Sequence, residues 1–357
     1  MGKSLSQAVG KTIIIALDAM GGEHAPDIVI KGANVARVRH PDMRFLLFGD
    51  EERLRPLIDK FPKLADTIEV RHCKTAISDN EKPAAALRQG HESSMRQAIN
   101  AVRDGDANGV VSAGNTGALM AMAKVVLKTL EGIHRPAMAS LFPTMRGQTV
   151  MLDLGANVDC TVENLVQFAV MGEVFARTVL GIVKPTVGLL NIGSEEFKGN
   201  ETVRGAAKLL QELDLPITFH GFIEGDDITA GTVDVVATDG FTGNVALKTV
   251  EGTARLYSCF LREAFKETWM SRMGYMLARR ALANLRNRLD PRRYNGAMFL
   301  GLNGVVVKSH GATDMLGFAN AIGFAHDMVL QGFNDKVIAE LNRWHEGRSE
   351  TRTMTSS

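Results

Sequence analysis

Short apolar runs rich in β-branched residues alternate with longer stretches of helical spacing along almost the whole chain. The runs are Thr12–Leu17, Phe45–Phe48, Ile68–Val70, Val110–Val111, Val150–Leu152, Val187–Leu190, Val233–Ala237 and Val305–Val307. Runs of this kind predict strands, and the segments between them predict helices. Strands joined by helix-length connections predict an α/β protein: three layers, α/β/α, around a mostly parallel sheet whose strands are apolar on both faces. Residues 1–10 and 345–357 are polar and are expected to be flexible ends around a single domain spanning 11–344.

The carboxyl ends of these runs are as regular as the runs themselves. Glycine-containing loops leading into helices read Asp18-Ala19-Met20-Gly21-Gly22, Ser112-Ala113-Gly114-Asn115-Thr116-Gly117, Asp153-Leu154-Gly155-Ala156-Asn157-Val158-Asp159, Asn191 to Asn200, and Thr238-Asp239-Gly240-Phe241-Thr242-Gly243-Asn244. Loops at the carboxyl ends of parallel strands are where ligands bind in open sheets. Glycine admits close backbone approach, and a helix N-terminus offers free N–H groups to an anion. One such loop reads equally well as a tight turn. Five of them, with Asn, Thr and Lys interleaved, point to phosphate.

Composition narrows the function. A formal net charge of +1 argues against a globally basic nucleic-acid binder. The three cysteines, Cys73, Cys160 and Cys259, form neither a disulfide framework nor a paired zinc signature, so a cytoplasmic location is expected. The run Thr12–Leu17 is too brief for a signal-peptide core, and no stretch is long enough to span a bilayer. Gly2-Lys3-Ser4 and Gly10-Lys11-Thr12 imitate the end of a P-loop but lack its first glycine and precede the first strand. No G-x-G-x-x-G stands after that strand, which weakens a nicotinamide enzyme.

Taken together and in this order, Ala16 to Gly22, Ser112 to Gly117, Asp153 to Cys160 and Asp239 to Asn244 resemble the PlsX family, and Asn191 to Glu196, Lys198 to Glu201 and Lys308 to Gly311 extend the likeness from about Ile13 to Asn342. The resemblance implies an acyl carrier protein:phosphate acyltransferase of phospholipid synthesis. It also implies a homodimer with a fold similar to phosphate acetyltransferases and isocitrate-type dehydrogenases, whose acyl-phosphate product passes to a membrane glycerol-3-phosphate acyltransferase. No cofactor is expected.

Phosphate held close to a thioester carbonyl can attack it directly, so the site needs a cation, backbone N–H groups and side-chain amides rather than an enzyme nucleophile. Lys198, in a glycine-flanked loop, is the candidate cation, and Asn244 the candidate donor to the carbonyl oxygen, with a helix cap as its plainer role. Asp18, Gly21, Gly22, Asn115, Thr116, Gly117, Asn157, Asp159, Glu195, Asp239, Thr242 and His310 are expected to line the phosphate and substrate site. The carboxylates among them serve to fix loops or hold the pantetheine arm, and their dispersal argues against a metal. Cys160 as an acyl-enzyme nucleophile and His310 as a general acid are rivals to simple packing roles.

A basic arm is expected at about 255–295. Between Arg262 and Arg293 stand nine basic residues against three acidic ones, interleaved with Trp269, Met270, Met273, Tyr275 and Met276. This predicts an amphipathic helical pair broken near Gly274. Trp269, Met273, Arg279 and Arg280 would face an anionic membrane or the acidic carrier protein, unless the arm simply packs on a dimer partner. An acetyl-CoA-dependent phosphate acetyltransferase, an isocitrate-type dehydrogenase and a non-catalytic ligand-binding protein are the competing readings.

Overall fold

The computed structural model describes residues 12–212, 217–288 and 296–343, the side chains of 284–288 excepted. The expected flexible ends, Arg292 and Arg293, and the side chains of Leu285, Arg286 and Arg288 lie outside the described residues. Eleven strands form one sheet: β1 (Ile13–Asp18), β2 (Met43–Gly49), β3 (Ile68–His72), β4 (Gly109–Ser112), β5 (Ala137–Thr144), β6 (Gly147–Leu152), β7 (Thr186–Leu190), β8 (Thr218–Ile223), β9 (Val235–Ala237), β10 (Ala297–Leu300) and β11 (Val305–Lys308). Their order is β3-β2-β1-β4-β11-β10-β5-β6-β9-β7-β8.

Each of the eight apolar runs overlaps a strand. β5, β8 and β10 do not announce themselves in the sequence. β5 is diluted by Ala137, Ser140 and Pro143, β10 is only four residues long, and β8 is an edge strand, partly exposed and irregular beside Gly221.

Because side chains alternate across a strand, Ile13, Ile15 and Leu17 join one apolar cluster with the helices Asp27–Arg39, Val162–Thr178 and Met315–Leu330. Ala16 faces the opposite layer, with Met95, Ala98, Leu119 and Met122 from the helices Ser94–Arg103 and Thr116–Leu127. Leu17 has no exposed surface, and burial of such a side chain contributes ~2 kcal/mol. The two faces make the three layers.

The sense of the strands divides the sheet. β1, β2, β3, β4 and β11 run parallel to one another, as do β6, β7, β8 and β9. Between these groups lie three antiparallel pairings, β11 with β10, β10 with β5, and β5 with β6. An odd number of reversals leaves the two parallel groups running in opposite senses.

The helices Gly240–Glu267 and Trp269–Arg288 form a long hairpin. Its break falls at Thr268, not near Gly274 as the sequence suggests. Thr268 is extended (φ −125°, ψ 160°), and its hydroxyl accepts from Ser271 N at 3.0 Å, which starts the second helix. A lone glycine inside a helix costs only ~1 kcal/mol and does not end it. Across the turn, Phe265 and Tyr275 meet edge to face at 5.5 Å.

Candidate active site

The reversal sorts the glycine loops into two groups. The loops after β1, β4 and β11 meet one another, and those after β6, β9 and β7 are neighbours at the ends of the other parallel group. β11 and β6 are three strand spacings apart, ~14 Å. The single convergence that the sequence suggests therefore becomes two clusters.

In the first cluster Asp18, 1% exposed, accepts from Ser94 Oγ at 2.6 Å and Ser112 Oγ at 2.7 Å. Burial raises its carboxyl above the ordinary aspartate value, against those hydrogen bonds. A side chain at Gly21 would collide with the Asp18 carboxylate and with Gly114, and Gly22 takes φ +103° against Ala113 and Gly311. These two glycines let three loops touch. Lys308 is buried, and its ammonium donates to the carbonyls of Ala113 (3.2 Å) and Ser309. Burial pulls it down to about 8, with Asp79 and Asp18 opposing.

Asn115 is fully engaged. Its Oδ1 accepts from Ala118 N at 3.0 Å, capping the helix Thr116–Leu127, and its Nδ2 donates to the carbonyls of Ser78, Asp79 and Glu81. Thr116 and His310 are exposed, Gly117 packs against Pro83, and His310 Nδ1 accepts from Ala312 N.

The second cluster is built on Asp153, which has no exposed surface. Its carboxylate takes backbone N–H bonds from Met138, Gly155, Ala156 and Asn157, and one from Asn157 Nδ2. Burial nevertheless raises its pKa. Asn157, also buried, donates to Pro136 O and receives Gly240 N on its carbonyl. Asp239 caps the hairpin's first helix, accepting from Thr242 N at 2.8 Å and Thr242 Oγ1 at 2.7 Å. Asn244 is exposed, and its Nδ2 donates to Leu154 O at 3.1 Å. Asp159 and Glu195 are exposed. The Asp159 carbonyl accepts from Arg135 and that of Glu195 from Lys198 N.

Lys198 lies beyond the end of β7. Asn191 Nδ2 holds its loop by donating to the carbonyls of Gly193 and Lys198, and Gly199 takes φ +87° against Asn191. The Lys198 ammonium lies 5.8 Å from the Phe197 ring centroid and makes no ion pair among the described residues. It is thus a cation available to a ligand, at the same edge as Asn244. Cys160 is half-buried, and burial first, then Asp153, pushes its thiol up to about 11. At neutral pH the thiol is then mostly protonated, which weighs against an acyl-enzyme.

Sequence reasoning passed over Asp153, Ser94, Ser112 and Lys308 as individual residues. Asp153 and Lys308 stand inside the family-like motifs, but a lysine at a strand end reads as solvated until the fold buries it.

A family model described as fatty acid synthesis protein matches residues 13–336. The chain belongs to this family. Phosphate acyltransferase of Rhodospirillum centenum is 64% identical over 329 residues, covering 92% of this chain and 93% of that relative, and the phosphate acyltransferase of Rhodospirillum rubrum is 58% identical over 333 residues, covering 93% and 95%. Membership makes the chain an acyltransferase. Among solved structures, a phosphotransacetylase from Streptococcus pyogenes superposes with TM-score 0.62 at 17% identity, covering 90% of this chain and 94% of that one. EutD phosphotransacetylase from Staphylococcus aureus gives 0.55 at 17%, covering 94% and 95%. At that identity the likeness concerns the fold alone, and the α/β/α reading of the sequence agrees with it.

Proposed function

We propose that this acyltransferase moves a long-chain fatty acyl group from the thioester of acyl carrier protein to inorganic phosphate, releasing acyl-phosphate for phospholipid synthesis. A phosphate oxygen forms the new bond to the carbonyl carbon, the carbon–sulfur bond breaks, and the pantetheine thiolate leaves and takes up a proton. Lys198 offsets the charge of the phosphate. Asn244, whose amide nitrogen carries a second N–H beyond the one given to Leu154, donates to the carbonyl oxygen as negative charge develops there. The observation that carries the reading is the unpaired Lys198 ammonium on the loop beside Asn244, in a chain so similar to phosphate acyltransferases.

The long-chain part of the reading rests on the hairpin, which grows directly from the Asp239–Asn244 loop. Trp269 is 70% exposed, Met273 50% and Leu277 88%, with Arg279 and Arg280 exposed beside them. No helix among the described residues is long and apolar enough to cross a membrane, so this surface suits attachment to the face of an anionic bilayer. The arginines also suit an acidic carrier protein. The enzyme then works as a homodimer on the inner face of the membrane and hands its product to a membrane glycerol-3-phosphate acyltransferase. Hydroxylamine trapping of acyl-phosphate from palmitoyl-acyl carrier protein and phosphate tests the reading. Product from acetyl-CoA alone would replace it with a phosphate acetyltransferase, and no product from either would leave a binding protein.

A further inference from the structure

Far from the glycine loops, the end of the helix Asp27–Arg39 packs beside the helix Met315–Leu330. His40 caps the first helix and His326 lies within the second, their rings 4.1 Å apart at 43°. One ligand atom from each of His40, His326 and Asp327 fits in a group whose members all lie within 4.8 Å of one another. His326 is 4% exposed. Its Nδ1 lies 3.0 Å from Asp327 Oδ1, and its Nε2 lies 3.6 Å from Asp42 Oδ2, buried and without a hydrogen-bond partner.

A neutral imidazole has one N–H, so it can donate to only one of two carboxylates. Whichever nitrogen lacks the proton directs its lone pair at the other carboxylate, which is repulsive. Either a second proton on the ring, which burial opposes and the neighbouring Asp327 and Asp42 carboxylates favour, or a bound cation removes the conflict. We propose that His40, His326 and a carboxylate of this cluster bind one divalent transition-metal ion of the zinc class. Two imidazole nitrogens and carboxylate oxygen are zinc donors, and tetrahedral coordination at about 2.0–2.2 Å places donors ~3.3 Å apart, so ligand atoms within 4.8 Å of one another need move together by no more than ~1.5 Å. The His326 nitrogen that does not bind the ion donates to the remaining carboxylate, the arrangement that orients metal-bound histidines generally. Asp42 and Asp327 are 53% and 44% exposed, which leaves a way in from solvent. The ion would clip together two helices whose other ends carry the Gly21–Gly22 and Lys308–Thr313 loops. Its role is structural, and the proposal stands apart from the acyl-transfer reading.

The test is titration of chelator-stripped full-length protein with Zn²⁺ in competition with a chromophoric chelator, together with thermal melting. One equivalent per chain is expected, with a raised Tm because the ion binds only the folded state. His40→Gln and His326→Gln should each weaken binding at least tenfold, while the exposed control His220→Gln leaves it unchanged. If His326→Gln fails to fold by circular dichroism, His40→Gln and Asp327→Asn carry the comparison. No stoichiometric Zn²⁺ on folded wild type, or equal affinity in the folded variants, overturns the proposal. Absence of zinc together with pH-dependent melting lost in the histidine variants would mean that His326 is held as an imidazolium instead.

Discussion

Lys308 and Lys198 carry the same side chain in opposite settings. The first is buried with its ammonium on two carbonyls, and the second stands unpaired beside an aromatic ring. Lys198→Ala should leave the melting temperature nearly unchanged while kcat/KM for acyl-phosphate formation falls roughly 100-fold or more, the size expected for loss of a charge-stabilising group. An unchanged kcat/KM would remove Lys198 from the site. For Lys308 the folded-state value is about 8 against 10.5 when unfolded. Between these values the unfolded chain holds a proton that the folded chain has released, so stability rises with pH through this window and falls as pH drops. Urea unfolding from pH 8 to 10.5 should show this slope in the wild type and a flatter one in Lys308→Met, the difference summing to no more than ~3 kcal/mol. The sequence marked Lys198 through its glycine neighbours, but the burial of Lys308 arises from loops distant in the chain.

At the scale of elements, glycine has two meanings here that spacing alone does not separate. Gly243 sits where an added Cβ would run into the backbone oxygen of Asp153, whereas a Cβ at Gly274 meets nothing within 4 Å. Gly243→Ala should therefore destabilise the loop junction and depress activity. Gly274→Ala should raise stability by ~0.5–1 kcal/mol, as expected inside an exposed helix. Denaturant melts of the two variants check both signs. The hairpin itself was legible as an amphipathic basic pair. Its turn was not, because Thr268 turns extended and its hydroxyl caps the start of the second helix, a side-chain hydrogen bond that no hydrophobic period records. Replacing Trp269 and Met273 with aspartate should abolish binding to anionic liposomes and spare turnover of soluble substrate; retained binding would favour a protein-packing role for the arm.

The whole molecule is held together partly by one guanidinium. Arg177, in the helix Val162–Thr178, pairs with Glu173 at 2.8 Å and with Glu340 at 2.9 Å, in a helix over 333–343; these carboxylate side chains are 3% and 7% exposed. Phe175 meets Phe333 edge to face across the same contact at 6.0 Å. Arg177→Ala would leave the buried Glu173 carboxylate without its ion pair, while Glu340 keeps Arg343 at 2.8 Å, and should cost ~3 kcal/mol, read as a lower urea midpoint. This clasp joins distant parts of the chain, as does the sheet, whose first four strands are completed by β11 from near the other end.

By itself the sequence determined the α/β character, eight of the strands and the loops after them, because buried strands need continuous apolar runs and close backbone approach needs glycine. The antiparallel segment of the sheet, the division of the loops into two clusters, the buried state of Lys308 and the meeting of His40 with His326 were decided only by tertiary structure. Strand sense depends on the path of the connections, and burial of a polar group depends on which distant surfaces close over it. Local pattern carries neither.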